Sequence, residues 1–395
     1  MKTLLIHDFY QQFGGEDAAA LADKALLESK NQEMMMYTRD NSEIEGFSLI
    51  EKLKAPVQAL YSWQTRQELT KLVRDGRPDV AYIHNFFPLI SPSVYHVLHS
   101  LSVPVVQVIH DFRLFCPNGW FFTQGEICQR CKGGNYFNAV RFRCYRDSYL
   151  ASAVAASSIG LNRLAGILDK IDGFVCLTDF LKQKLLEAGI PGRKMFIKPN
   201  FMDASQSVPA FGHGKYALFM GRLSREKGIL TLVRAFQQLE GISLKIAGTG
   251  PMEAELRSFL KENAIGNVEL VGFKSGKEKL QLLKESMFLV MPSECYETFG
   301  LSILEAYASG KPVIASNIGS LPYLVRNGKS GLLFATGDAN DLAKQVVRLS
   351  AQPDEREAMG RFGRILVETE YGPQKNYELL MEMFSKVVRE RNAAC

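Results

Sequence analysis

The chain lacks an apolar run long enough to cross a bilayer. Its start, MKTLLIHDFYQQFGGED, offers one lysine and a short apolar stretch that meets Asp8 at once, too little for an export signal or a spanning helix. The expected location is therefore cytoplasmic, with the inner face of a membrane as the alternative. There is no Asp-x-Asp pair to present adjacent carboxylates to Mg²⁺ or Mn²⁺, so the expected chemistry uses no catalytic metal. No internal repeat or low-complexity tract is present, which excludes an array architecture. Without an export signal, the seven cysteines do not suggest a disulfide framework. Nor is there a large excess of either charge. A net +5 with pI near 8.7 suits anionic substrates or peripheral contact with an anionic membrane, and does not call for nucleic acid.

Hydrophobic residues at 46% and charged residues at 23% are close to the soluble average, which points to a globular protein. At 395 residues one core cannot keep growing, and two domains are expected. Thr3 to Ile6, a glycine turn, and the apolar-periodic Ala18 to Leu27 read as strand, turn and helix. Strand-like runs recur at Val80 to His84, Val103 to His110 and Gly173 to Thr178, with helical stretches at Ser62 to Arg74 and Asp179 to Ala188. From Lys198 to Gly214 the pattern lapses into Pro, Gly, Ser and Asn, which reads as a linker. A second series then starts: strands at Tyr216 to Met220, Ser243 to Ala247, Val268 to Val271, Phe288 to Pro292 and Pro312 to Ala315, with helices at Gly228 to Gln238, Pro251 to Glu262 and Ser302 to Ser309. Alternation of this kind predicts an α/β fold of two doubly wound parallel sheets. Residues 1–200 form the expected first domain, with a four-cysteine insertion at about 112–147. Residues 206–370 form the second domain, and 371–395 a helix crossing back to the first. Ligands of such sheets gather beyond the strands' carboxyl ends, so a cleft between the halves is the expected site.

Two motifs of the second half carry the chemistry. Glu297 lies just beyond a strand and Glu305 lies eight positions later, about 12 Å along a helical rise. Between them the N–H groups of Phe299, Gly300 and Leu301 open a helix, and such an opening suits phosphate. Carboxylates accept hydrogen bonds from vicinal hydroxyls, so the element fits a diphosphate with a sugar on each side. On spacing alone an ordinary helix with two acids explains it as well. The second motif, Gly221-Arg222-Leu223-Ser224-Arg225-Glu226-Lys227-Gly228, tips the balance: Arg222 and Lys227 follow a strand and can neutralise phosphates and a departing nucleotide.

The E-x(7)-E element of Glu297 and Glu305, with the G-R-L-x-x-x-K-G element of Gly221 to Gly228, resembles glycosyltransferase family 4, whose members are retaining enzymes of the GT-B fold. The resemblance covers nearly the whole chain. It implies that Arg222 and Lys227 grip the donor diphosphate, that Glu305 holds the ribose and that Glu297 contacts the donor sugar. It also implies that Gly248 turns near the nucleotide and that Phe273 follows the strand beside the base. In the first half, Gly14-Gly15-Glu16 resembles the family's glycine loop closing on the donor phosphates, and His110 resembles the histidine pointing at the donor sugar. As a bare feature, a histidine at a strand end is as often a packed polar residue. His84, in His-Asn-Phe-Phe-Pro, stays open between a structural role and one near the acceptor.

Cys116, Cys128, Cys131 and Cys144 cluster, with a C-x-x-C at their centre. Four thiolates could hold one structural zinc; packed free thiols and a redox pair are the alternatives. The functional expectation is retaining transfer from a nucleotide diphosphate sugar to a saccharide or lipid-linked acceptor of bacterial surface polysaccharide synthesis. A nucleotide-sugar epimerase or a sugar phosphorylase of the same fold is the alternative, since fold alone does not separate them. A nucleic-acid-reading zinc module is disfavoured because no RNA-binding motif is present.

Overall fold

Each half of the chain builds its own six-stranded sheet, in which every pairing is parallel. In the computed structural model, which describes residues 1–394, the chain divides into two units. The first comprises residues 1–123, 128–199 and 376–394, and the second 124–127 and 200–375.

The first sheet runs β2-β1-β3-β4-β7-β8. Its strands are β1 (Lys2–Phe9), β2 (Glu33–Asp40), β3 (Val80–Ile83), β4 (Val105–Val108), β7 (Gly173–Cys176) and β8 (Met195–Ile197), with a small hairpin, β5 (Phe122–Thr123) and β6 (Glu126–Ile127), between β4 and β7. In β1 all six residues from Thr3 to Asp8 are buried, as a central parallel strand covered on both faces requires. Its helices are α1 (Gly15–Ser29), α2 (Leu49–Leu60), α3 (Trp63–Gly76), α4 (Ser93–Ser100), α5 (Phe137–Arg141), α6 (Tyr149–Leu164) and α7 (Asp179–Glu187). Four of the helix starts are side-chain caps: Ser48, Ser62, Ser148 and Thr178 each accept a hydrogen bond from the backbone N–H three residues on.

The second sheet runs β11-β10-β9-β12-β13-β14. Its strands are β9 (Tyr216–Met220), β10 (Leu244–Ala247), β11 (Val268–Gly272), β12 (Ser286–Met291), β13 (Val313–Ser316) and β14 (Gly331–Phe334). Around it lie α8 (Ile229–Gln237), α9 (Glu253–Glu262), α10 (Gly276–Glu285), α11 (Leu301–Ala308), α12 (Leu321–Leu324), α13 (Ala339–Ala351) and α14 (Pro353–Thr369). A core of Leu232, Phe236, Ile246, Phe288, Ile314 and Leu332 joins α8 to the strands. The last helix, α15 (Pro373–Ala394), contributes its residues from Asn376 onward to the first unit. There Asn376 Nδ2 donates to the Pro199 carbonyl at 2.6 Å, and the Phe384 ring meets Tyr82 edge-on at 5.2 Å.

Boundaries differ from the sequence reading in places. The units meet at Pro199 and Asn200 and the second extends to Lys375, so most of the expected linker belongs to the second unit. Strand β4 is shorter than the run Val103 to His110, because Pro104 has no N–H to donate and His110 lies beyond the ladder.

Candidate active site

In the second unit the strand ends are drawn together by glycines. Gly228 has φ +66°, and a Cβ there would sit 1.8 Å from the Pro292 carbonyl oxygen, so only glycine lets the turn after β9 press against the chain leaving β12. Gly248 has φ +152°, and its Cβ would fall 1.9 Å from the Gly221 oxygen, locking the loop after β10 onto the Gly-Arg-Leu loop.

This packing delivers Lys227 to Glu297, with Nζ 2.6 Å from Oε1. The Ser293 hydroxyl donates to the same oxygen at 2.5 Å, and Ser320 N–H donates to the Glu297 carbonyl at 3.0 Å. Burial works against the Lys227 charge, but the adjacent Glu297 carboxylate outweighs it and holds the ammonium above the ordinary lysine value. Glu297 is thus buried, charge-paired and fixed by three partners. Phe299 is buried beside it, Gly300 at φ +137° precedes α11, and Leu301 is its first residue. On α11, Glu305 is engaged by Lys279 of α10, Nζ to Oε1 2.6 Å. Lys279 carries no motif that marks it, because its contact with Glu305 depends on how α10 packs. Arg222 and Phe273 are exposed at the ends of β9 and β11.

In the first unit, His84 and His110 end β3 and β4 side by side. Their rings stack at 5.1 Å, and His84 Nδ1 lies 2.9 Å from His110 Nε2. Behind His84, Asp23 of α1 stands 3.5 Å from Nε2 and is held by Lys198 Nζ, 2.7 Å from each carboxylate oxygen, and by the Tyr82 hydroxyl at 2.8 Å. Burial is the main reason both imidazoles are held well below the usual histidine value; the next is His7 for His84, and His84 for His110. Both are therefore neutral at pH 7, and only one nitrogen of the 2.9 Å contact carries the shared proton. Lys198 stands in the stretch whose composition suggests a linker, and its partner on α1 is 175 positions away.

The glycine loop hangs from a second buried pair, His7 Nε2 to Asp17 Oδ1 at 2.8 Å. Asp17 also accepts from the N–H groups of Tyr10 and Gly14, at 3.2 and 2.7 Å. Gly14 caps α1 at an ordinary φ of −126°, and a Cβ would meet nothing nearer than 3.8 Å; Gly15 is the first residue of that helix. Glu16 accepts from the Tyr10 hydroxyl at 2.8 Å, and burial together with the charge of Asp111 pushes its carboxyl up. Asp111 is in turn engaged by Arg113, Nε to Oδ2 3.0 Å.

Cys116, Cys128, Cys131 and Cys144 all line one cavity of about 10 Å³, space for a single water-sized body. Two of them open tight turns closed by glycine: Gly119 N–H donates to Cys116 O and Gly134 N–H to Cys131 O, each at 2.9 Å. Among the described residues no three Cys, His, Asp or Glu side chains are drawn into a ready metal cage. A second cavity, about 30 Å³, opens among Phe86, Phe87, Leu114, Ile159, Arg113 and Arg163.

Residues 50–206 match the model for Glycosyltransferase Family 4, and residues 202–366 the model for Glycosyl transferases group 1. The chain belongs to glycosyltransferase family 4. Glycogen synthase of Mycobacterium tuberculosis is 27% identical over 302 residues, 74% of this chain and 64% of the relative. The amylovoran biosynthesis glycosyltransferase AmsK of Erwinia amylovora is 28% identical over 221 residues, 52% of this chain and 54% of the relative. The chain thus spans between about half and two thirds of the length of these curated relatives. Among solved structures, sucrose-phosphate synthase of Thermosynechococcus elongatus superposes with a TM-score of 0.72 at 18% identity over the whole of both chains. The Anabaena protein HepE in complex with UDP gives 0.67 at 17% identity, over 97% of this chain and 100% of that one. The fold is GT-B.

Proposed function

We propose that this family 4 member moves a sugar from a nucleotide diphosphate donor to an acceptor hydroxyl, with retention at the anomeric carbon and without a catalytic metal. The observation that carries the reading is the group at the strand ends of the second unit: the Lys227–Glu297 pair, exposed Arg222, and Glu305 on the helix opened by Phe299, Gly300 and Leu301. The diphosphate takes the helix opening and the two cations, while the ribose displaces Lys279 from Glu305 or shares the carboxylate with it. Gly248 and Phe273 border the nucleotide. That a nucleotide sits on this fold in HepE, whose structure contains UDP, supports the donor class.

In the reaction, the bond between the anomeric carbon and the phosphate oxygen breaks, and its electron pair leaves with the nucleotide diphosphate. The acceptor oxygen attacks from the same face, and its proton passes to the departing phosphate oxygen. Arg222 and Lys227 stabilise that leaving group, so no divalent cation has to. Glu297 orients the sugar as positive charge develops on its ring. Gly14 and Gly15 of the first unit present backbone with no side chain, which suits close approach to a phosphate.

We take the acceptor to be a lipid-linked saccharide of surface polysaccharide synthesis, which places the protein at the inner face of a membrane. Relatives named for amylovoran and other polysaccharide assembly support the pathway class. A cavity walled by phenylalanines, with two arginines at its edge, supports an acceptor that has both apolar and anionic parts. The test is donor consumption with and without acceptor, followed by NMR of the product. Turnover that needs acceptor and conserves the anomeric configuration supports the reading; acceptor-independent conversion of the donor sugar would indicate an epimerase, and phosphate-dependent cleavage of a saccharide a phosphorylase.

A further inference from the structure

Two neighbouring helices of the first unit carry their apolar faces outward. On α2, Leu49, Leu53 and Val57 fall at i, i+4 and i+8 with Ile50 beside them, and they are 77, 74, 63 and 64% exposed. Ala59 is the helix's buried residue. On α6, Leu150, Leu161 and Leu164 share one face and are 73, 57 and 88% exposed, while the buried face consists of Ser152, Ala155, Ala156, Ser158 and Asn162. A surface helix of a globular protein puts its apolar stripe on the core and its polar face in water. Here the arrangement is inverted twice, on helices that touch: Ser158 Oγ of α6 donates to the Ala59 carbonyl of α2 at 3.3 Å.

Both helices are well started, so the inversion is not fraying. Ser48 and Glu51 form a capping box on α2, and the Ser148 side chain accepts from Ala151 N–H on α6. Exposed aromatic residues stand nearby, Phe137, Tyr149 and Trp63. The charges around the apolar stripes are mostly positive: Lys52 and Lys54 on α2, and Arg141, Arg143 and Arg146 in the chain leading to α6. Against them stand Glu51, whose carboxylate is taken by the Ser48 cap, and Asp147, paired with Arg143 at 3.4 Å.

We propose that the α2–α6 face is a docking surface for an anionic lipid bilayer, into whose headgroup region the leucines insert while the lysines and arginines meet lipid phosphates. Apolar side chains edged by cations and aromatics are the chemistry of helices lying in a membrane interface. A second copy fits less well, since it would bring the same cations against each other. The face deepens the reading of a lipid-linked acceptor and rests on it for its purpose: α6 also supplies Ile159, Asn162 and Arg163 to the cavity assigned to that acceptor.

The test is flotation of the whole protein with phosphatidylcholine vesicles, with and without phosphatidylglycerol, compared with Leu53→Glu/Leu161→Glu. Both positions are exposed, and equal melting curves and equal nucleotide binding establish that the variant is folded. The expected result is co-flotation with anionic vesicles only, weakened by salt, and about tenfold or more weaker in the variant. Failure to float, equal binding to neutral vesicles, or unchanged binding by the variant would overturn the proposal. So would a dimer in light scattering that the variant dissolves, which would give the face to a second copy. Transfer to an acceptor held in detergent is measured separately, so loss of docking with intact transfer, or the reverse, tells which of the two readings has failed.

Discussion

Replacing Glu297 by alanine would strand a mostly buried ammonium. The side chains of Lys227 and Glu297 are 18 and 9% exposed. Breaking a fully buried ion pair from one side costs about 3–5 kcal/mol, because the remaining charge has lost its partner. The partial exposure of Lys227 lets water recover some of that, so about 2–3 kcal/mol is expected, including the bond lost by the Ser293 hydroxyl. Glu297→Gln keeps an oxygen for both Ser293 and Lys227 and should cost about 1 kcal/mol. Lys227→Met should cost less than Glu297→Ala, since Ser293 still serves the carboxylate, and the double variant should recover part of the sum through a coupling of about 1–3 kcal/mol. Urea denaturation at pH 7 reads these differences. Equally mild effects of Glu297→Ala and Glu297→Gln, or a coupling near zero, would make the Lys227–Glu297 contact incidental. Activity should fall sharply in every member of the series, the Gln variant included, since donor sugar and leaving group lose a charge that is fixed in place before binding.

The neutral histidine pair gives a pH dependence with a definite sign. The folded values of His84 and His110 are depressed, so below about pH 6.5 the unfolded chain takes up protons that the folded pair refuses, and stability is lost as pH falls. Asp8, raised to about 7 by burial, acts oppositely, since its folded neutral form gains as pH falls through that value. The difference between wild type and His84→Gln isolates the first effect: the variant's urea midpoint should drop less between pH 7.5 and 5.5, and parallel curves would count against the assignment. Brief exposure to EDTA should leave initial transfer rates nearly unchanged; loss restored by Mg²⁺ or Mn²⁺ would reject the metal-free mechanism. Protein purified without added metal should carry about one zinc per chain, drawn in by Cys116, Cys128, Cys131 and Cys144, and Cys131→Ser should lose metal and stability together. Metal content near zero, with Cys128 and Cys144 freely alkylated in the native state, would return the four residues to packed thiols.

Much of the fold was legible because its signals are local. Buried parallel strands read as continuous apolar runs, and glycines mark the turns where backbone meets backbone, as at Gly228 and Gly248. Strand β2 escaped notice because Glu33-Met34-Met35-Met36 has no β-branched residue and lies on an edge, where it is only half-buried. Helix α2 escaped because Pro56 lies inside it and its stripe does not face a core. The site divides in the same way. Arg222, Lys227, Glu297 and Glu305 stand in two short motifs, whereas Lys279, which engages Glu305, comes from another helix, and Asp23 with Lys198, which stand behind His84, come from opposite ends of the first unit. Spacing along a chain carries no information about such meetings; packing creates them.

The proposed function requires that the second unit hold a nucleoside diphosphate through Arg222, Lys227 and Glu305. Calorimetric titration of the wild type with UDP, GDP, ADP and dTDP, repeated on Glu305→Ala, tests it most directly. One of these nucleotides should bind at one site per chain without added metal, and the variant should bind it about tenfold or more weakly because the ribose hydroxyls have lost their acceptor. No binding by any of them, or equal affinity in wild type and variant, would contradict it.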